Sequence, residues 1–421
     1  MDSISKEENT VNKKPKYFKG WNMVASGALI AFYVDGVGFW GFSGFFKEII
    51  AEFGWSRGVA AVAPSLHRLE ASIFAPFSGF IVDKWGARKT MLVGLFFAGL
   101  GFMALSMIQN LWQYYLVFVV IAFGLSAGSY VVVAALLNNW FQRNRGLAFS
   151  LLVLGTGSSA ILGGLWIFVI PFLGWRTTLF IAGLGFWVFC IPLAYFVMRD
   201  SPKDYGLNPD GDIDEVQEEQ GDVTVKRIPF KRILWSRSYL QYVAVTFLVG
   251  GSWSTITFAA DILSSYGFSA SITAGIFVMG FAIPSLPARV LAGWLADRFD
   301  KRLVLSYAIF LLFIGTLLFA IAKVPWVAIL GAMLIGMGTG SISPVRFALQ
   351  SEYWGPNVFG RLAGIQMGIA GIPAIASPVF LGFMFDYYGH YRTGLTVLAI
   401  PLLLSAILCL TIKKPDPEMA E

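Results

Sequence analysis

Twelve stretches of this chain are long and apolar enough to cross a lipid bilayer, and nothing else in it restricts the fold so sharply. A bilayer core needs about 20 mostly apolar residues in a helix. Such stretches run over roughly 20–46, 57–82, 90–108, 113–138, 147–170, 178–198, 239–263, 270–296, 303–322, 326–346, 361–385 and 392–412. Each must be helical, because backbone groups without partners are costly in lipid. Charged residues are 13% of the 421 residues, against ~25% in soluble domains. That is too few to cover a water-facing surface. The expected fold class is an all-α membrane protein with twelve transmembrane helices.

The basic residues orient those helices. With the N-terminus inside, 24 of the 31 lysines and arginines fall in cytoplasmic segments, and only Lys47, Arg57, Arg176, Lys323 and Arg392 fall outside. This asymmetry places both termini in the cytoplasm. The remaining two, Arg68 and Arg289, lie within spans. The net charge of +6 is spread between apolar segments rather than along one stripe, so no nucleic-acid partner is expected. The polar N-terminus lacks a signal peptide's short apolar core. Its absence and the short loops point to a prokaryotic inner (cytoplasmic) membrane. The cysteines, Cys190 and Cys409, sit in apolar runs and imply no disulfide framework. With two histidines and no metal-ligand spacing or nucleophile–base arrangement, neither an enzyme nor a metal or other cofactor is expected.

The one long polar stretch, 199–237, carries an acidic run from Asp210 to Glu219 and then a basic one from Lys226 to Arg232. It reads as a cytoplasmic linker between an N-terminal unit, 1–198, and a C-terminal unit, 238–421. The basic part, with Phe230 and Leu234, predicts a short surface helix.

The two units share a motif. The loop after the second span reads Gly79-Phe-Ile-Val-Asp83-Lys84-Trp-Gly86-Ala-Arg88-Lys89, and that after the eighth reads Gly293-Trp-Leu-Ala-Asp297-Arg298-Phe-Asp300-Lys301-Arg302, 214 residues on. Duplication at this spacing predicts two pseudo-symmetric six-helix bundles, a common transporter plan. Gly79 and Gly293 are expected to let helices approach closely. Asp83 and Asp297, with Arg88 and Arg298, can form a cytoplasmic gate by pairing charges or facing a helix N-terminus.

The motif resembles the loop signature of the major facilitator superfamily, G-x-x-x-D-r-x-G-r-k, with Asp300 where the second copy usually has glycine. Gly20-Trp21, Phe45-Phe46-Lys47-Glu48-Ile49, Phe53-Gly54-Trp55-Ser56, Ala288-Arg289 with Gly293 and Asp297-Arg298, and Pro202-Lys-Asp-Tyr205-Gly206-Leu207 resemble the monocarboxylate transporter family and its bacterial relatives, which include oxalate/formate exchangers. The resemblance implies the major facilitator fold, alternating access by rocking halves, and a small carboxylate substrate moved with a proton. It implies that Arg289 binds the carboxylate. Mammalian members carry a lysine where this chain has Trp40, and an aspartate where it has Ser285, so their proton relay does not carry over. Between Leu362 and Phe385 there is no lysine, arginine or histidine, which weighs against a dicarboxylate.

The charges within spans are the candidate chemistry. Arg289 lies eight residues before Asp297, about 12 Å into the span. At that depth an arginine costs at least ~2.5–3.5 kcal/mol on the insertion scale. Either a carboxylate ligand or a permanent acidic partner must meet it. His67, Arg68 and Glu70 form the densest polar cluster in any span. His67 and Glu70 share a helix face, with Arg68 turned away by about 100°. Proton coupling, a second anion contact and an external salt-bridge gate are all open to them. Asp35 stands mid-span before Gly36 and Gly38, which make the first helix pliable, and can carry a proton or pair with Arg68 or Arg289. Tyr33 and Tyr130 are candidate substrate contacts through their hydroxyls, as is Ser285. Asp261 is expected to be exposed, and Arg346 to snorkel. The glycines of the fifth span (Gly155, Gly157, Gly163, Gly164) and of the eleventh (Gly364, Gly368, Gly371) are expected to pack closely at the seam.

These residues point to a secondary transporter, monomeric and lipid-embedded, that moves a small monocarboxylate with a proton. Anion exchange, another organic solute and a non-transporting sensor remain as alternatives. Aligned on Asp83 and Asp297, Arg289 faces Ala75 and Arg68 faces Ala282. Function should therefore lie where the repeat is broken.

Overall fold

The computed structural model describes residues 18–66, 84–128, 130–141, 144–205, 208–211, 230–355 and 358–414. Every regular element among them is helical. In chain order these are α1 (Gly20–Phe53), α2, which opens with Arg57–Ala60, α3 (Ala87–Leu105), α4 (Leu111–Trp140), α5 (Arg145–Leu173) and α6 (Trp175–Val197). Next come α7 (Arg237–Thr257 with Ala259–Ser265, bent by 58°), α8 (Ala270–Arg298), α9 (Lys301–Ala320), α10 (Pro325–Trp354), α11 (Phe359–Tyr388) and α12 (Arg392–Leu410). Ten continuous helices and the bent pair are long and apolar enough to cross a membrane. The predicted second span, 57–82, leaves the described residues after Leu66. The surface agrees with lipid as solvent: Trp112, Leu116, Val188, Phe196, Val290 and Trp326 are all about 70% exposed or more.

The halves pair their helices alike. In the first, α1 packs on α5 and α3 on both α4 and α6; in the second, α7 packs on α11 and α9 on both α10 and α12. The 214-residue offset holds at single contacts. Gly101 admits Ile121 and Gly315 admits Ile335, while Gly124 lies against Ala98 and Gly338 against Leu312. Small residues let backbones approach where lipid offers no hydrophobic drive to associate.

The offset also explains the departure from the motif. The backbone N–H of Arg88, in the first turn of α3, donates to Asp200 Oδ1 at 2.8 Å. Its counterpart on Arg302 donates to Asp300 Oδ1, also at 2.8 Å. The same orphan donor is capped twice, by a distant carboxylate in one half and by a local one in the other. Asp200 reaches its place only because Gly86 lacks a Cβ, which would lie 2.7 Å from Asp200 Oδ2, and because glycine tolerates φ 84 there. Asp300, at φ −57, supplies its own cap. The Arg302 guanidinium holds the Asp300 carboxyl below its usual range. The short predicted helix is present as Phe230–Leu234.

The two halves meet through α1 on α7, α2 on α11, and α5 on α8. These contacts concentrate toward the end opposite the termini, here called the far side. Gly389, in the left-handed region at φ 75, ends α11 in a turn so tight that Tyr391 falls back onto α7.

Candidate functional site

Arg289 crosses the seam. It projects from α8 to α5, where Nη1 donates to Val153 O at 3.2 Å. That carbonyl also accepts from Thr156 Oγ1 at 2.9 Å. Gly157 makes room, since a Cβ there would lie 3.0 Å from Arg289 Cζ. The close packing expected of the fifth-span glycines is seen at the seam where Gly157 lies against Arg289 and Gly164 against the Phe277–Val278 turn of α8, while Gly163 packs on Trp40 of α1 within the first half. Of the eleventh-span glycines, Gly364 and Gly368 have Cβ positions that meet nothing within 4 Å among the described residues.

Aromatic rings close the seam beyond Arg289. Trp40 lies 6.1 Å from Phe277 and 5.6 Å from Phe281, and Phe39 lies 5.3 Å from Trp253. Phe281 is eight residues before Arg289, so this layer stands about 12 Å farther along α8. Trp40 and Phe281 both lie in π-helical turns, Gly36–Gly41 of α1 and Phe277–Ala282 of α8. Such turns are frequent at functional sites, and the first is the pliable segment expected at Gly36 and Gly38. A cavity next to it is lined by Gly38, Phe39, Phe42, Pro64, Thr257 and Pro378, among others. Ser65, Thr255 and Ser377, one or two residues from this lining, bury hydroxyls that have no hydrogen-bond partner among the described residues.

The other expected site residues are placed as follows. Asp35, half-buried, ends the α-helical part of α1 just before the π turn. Tyr33 turns the other way: its hydroxyl donates to Ala182 O on α6 at 2.8 Å, and its ring packs 5.1 Å from Phe186. It ties α1 to α6 inside the first bundle and is not brought to Arg289. Ser285 is buried and donates to Ala282 O of its own helix at 2.9 Å, a bond that holds its hydroxyl back along α8. Tyr130 opens the helix Tyr130–Trp140, but its side chain lies outside the described residues. His67, Arg68, Glu70, Gly79 and Asp83 lie outside them altogether.

On the termini side, the expected gate is not assembled among the described residues. Arg88 is held within the first half, its guanidinium donating to Tyr195 O and lying 5.0 Å from that ring. Arg298 stacks on Trp294 of its own helix at 4.1 Å. Asp297 is exposed. A Cβ at Gly293 would meet nothing within 4 Å among the described residues.

The far side holds the charged contact instead. Arg57 Nε donates to Asp261 Oδ2 at 2.6 Å, and Nη2 to Oδ1 at 3.1 Å. The Tyr391 hydroxyl donates to the same Oδ2. The Arg57 guanidinium covers the Phe385 ring at 3.8 Å. Asp386 accepts from the backbone N–H of Arg57 at 3.0 Å and of Gly58 at 2.8 Å. Ser43 Oγ accepts from Ala260 N at 2.8 Å, and Phe46 packs 4.9 Å from Phe258. Asp261, expected to be exposed, is 2% exposed. Burial, and next the Asp261 carboxylate, push the Tyr391 phenol well above its usual value, so it stays a donor.

The Major Facilitator Superfamily profile matches residues 28–280 and 242–421. The chain belongs to that superfamily. It is a multi-pass membrane transporter, not an enzyme. Among curated relatives of this superfamily member, monocarboxylate transporter 11 of Homo sapiens is 26% identical over 92% of this chain and 81% of its own. The uncharacterized MFS-type transporter YcxA of Bacillus subtilis is 24% identical over 87% and 89%. The probable nitrate/nitrite transporter NarK2 of Mycobacterium tuberculosis is 27% identical over 82% and 84%. Of solved structures, the nucleoside transporter NupG superposes with a TM-score of 0.73 at 13% identity, covering 94% of this chain and 100% of its own. A bacterial homolog of the human lysosomal transporter Spinster gives 0.72 at 12% identity, covering 97% and 99%. Both show the shared fold.

The far-side network of this transporter is the feature that sequence reasoning missed. The signal was present in Ala259-Ala260-Asp261-Ile262-Leu263. An acid with apolar residues on both sides needs a partner, and Arg57 opens another span at the same level.

Proposed function

We propose that this transporter carries a small monocarboxylate together with a proton, by alternating access, with Arg289 as the anion anchor. The observation that carries the reading is the position of Arg289: an always-charged, bidentate donor on α8 that leans across the seam onto α5. A ligand held there touches both halves, so binding is sensed by their relative motion. The aromatic layer of Trp40, Phe277 and Phe281 suits the organic part, and His67, Glu70 and Asp35 are the candidates for proton work. Arg68 and Tyr130 remain candidate substrate contacts. Relatives bearing the name monocarboxylate transporter support the substrate class. The nitrate/nitrite relative supports a second reading, exchange of a small inorganic anion, because it shares the single negative charge. We place both termini in the cytoplasm of an inner membrane by the distribution of basic residues, with 199–237 as the linker between the units 1–198 and 238–421. In that frame the far side is external.

Uptake into proteoliposomes tests this, using acetate, lactate, pyruvate and nitrate with and without an inward proton gradient. Gradient-driven uptake of a carboxylate is expected, and Arg289→Ala should abolish it. Nitrate counterflow without carboxylate uptake selects the second reading. If none of these anions moves, both readings fail.

A further inference from the structure

We infer that Arg346 of α10 and Gln366 of α11 form a second anion-binding point, inside the C-terminal half and apart from Arg289, that takes a small singly charged anion. The site does not depend on the carboxylate reading of Arg289.

Arg346 lies eight residues before the end of α10, about 12 Å into the span. It does not reach for the headgroups, as its place near a span end suggested, but is half-buried and enclosed by the second bundle. The face it shares with Gln350 turns to α7, where the Tyr242 hydroxyl donates to Gln350 Oε1 at 3.0 Å and lies 3.4 Å from Arg346 O. α8 and α10 run in register: a Cβ at Gly340 would lie 2.6 Å from Ser285 O, and Ser341 Oγ donates to Ala288 O at 3.3 Å. Arg346 therefore stands within about one turn of Arg289 in depth. Arg289 leans across the seam onto α5, while Arg346 stays inside its own half.

Gln366 comes to the same level from α11. It lies four residues after Leu362, whose carbonyl accepts from the Tyr239 hydroxyl at 2.8 Å, and Tyr242 lies three residues after Tyr239. α7 and α11 run side by side in the same direction, with Gly250 against Ala370 farther along, and α10 is a neighbour of α11.

Both side chains lack what burial demands. Gln366 is 0% exposed, yet neither its Nε2 nor its Oε1 has a hydrogen-bond partner. Nε of Arg346 is buried without one too, and the guanidinium lies 4.5 Å from the Phe347 ring rather than on a described carboxylate. On that side Glu352 is taken by Lys301 at 2.5 Å and Lys414 at 3.8 Å, and Asp300 by Arg302. Glu70 and Asp83, which lie outside the described residues, are the rival partners. An arginine stays charged, and a buried charge or amide without partners is costly. An anion at this level supplies the missing negative charge and accepts from the guanidinium fork and the Gln366 amide together. One guanidinium suits one negative charge.

Thermal unfolding of the purified protein in Hepes–Tris buffer, with chloride, nitrate, acetate or lactate added, tests this. In an Arg289→Ala background, which removes the other anchor, at least one of these anions should raise the unfolding midpoint by mass action. Adding Arg346→Gln should abolish the rise, and Arg346→Lys should keep a weaker one. Gln366→Met, close in size, should raise the half-saturating concentration several-fold. Should Arg289→Ala not fold, the parent is used, and Arg346→Gln should remove part of its rise. A rise with chloride marks a resident inorganic anion, and a rise with acetate or lactate but not chloride marks the transported one; either supports the site. Before any anion is added, Arg346→Gln should unfold no earlier than its parent, because it removes an uncompensated charge. A permanent partner such as Glu70 or Asp83 predicts the reverse, since the substitution would then strand a buried carboxylate. No rise with any of the four anions, a rise that survives Arg346→Gln, an unmoved constant in Gln366→Met, or an Arg346→Gln that is the less stable protein without anion would each overturn the inference. Chloride binding at Arg346 would stand even if no carboxylate were transported, so the two readings fail separately.

Discussion

Arg57 at the start of α2 and Asp261 on α7 join the two halves through a two-point ion pair, Nε to Oδ2 at 2.6 Å and Nη2 to Oδ1 at 3.1 Å. The aspartate side chain is 3% exposed and the arginine 26%. A pair this sheltered is costly to break from one side, because the remaining charge stays buried. Arg57→Ala and Asp261→Ala should each destabilise the closed state by ~3–5 kcal/mol. The double variant should cost less than the sum, since neither charge is then stranded. Thermal unfolding in detergent checks this. Additive losses would mean that the pair is not coupled.

Gly157 is predicted to control Arg289. A Cβ at residue 157 would sit 3.0 Å from the guanidinium carbon and 3.2 Å from Nε. Gly157→Val, with its branched and stiff side chain, should displace Arg289 from Val153 O and weaken anion binding about tenfold or more, which is ~1.4 kcal/mol. Gly368→Ala, whose Cβ would meet no described atom within 4 Å, should bind as the parent does. A titration followed by thermal shift gives both constants.

Depth along each helix was legible before the structure, but direction around it was not. Eleven of the twelve spans, the repeat, the linker helix at Phe230 and the arginine at the level of the seam follow from apolar length, motif spacing and the rise of a helix. A helix in lipid is apolar toward both its core and its solvent, so the contrast that marks the inward face of a soluble helix is missing. That is why Tyr33 was expected at the substrate and is found on Ala182. Asp261 was misjudged for another reason. Its position near a span end suggested solvent, but a closed seam buries span ends as well as centres.

Arg289→Lys separates charge from shape. The lysine keeps the charge but loses the planar fork that can grip a carboxylate at two points. Affinity should fall about tenfold or more, ~1.4 kcal/mol, with the selectivity between carboxylates and nitrate reduced. Equal affinity in the lysine variant would show that Arg289 acts as a point charge only.

The two helix caps give the last prediction. Asp200 reaches the N–H of Arg88 over Gly86, and Asp300 serves the N–H of Arg302 from the glycine's own place in the repeat. Gly86→Ala meets a double penalty, a left-handed φ of 84 and a Cβ at 2.7 Å from Asp200 Oδ2. It should cost ~1–3 kcal/mol. Asp200→Ala and Asp300→Gly each remove a cap; the first should cost ~1 kcal/mol and the second only a few tenths, since glycine is a tolerated N-cap. The Asp300 carboxyl is depressed by Arg302, so its share is present above the unfolded value, ~3.9, and fades as pH falls through the lower folded one. Thermal unfolding of Asp300→Gly should therefore match the parent more closely at pH 3 than at pH 7. A deficit that is unchanged with pH would mean that the carboxylate contributes nothing at that helix end.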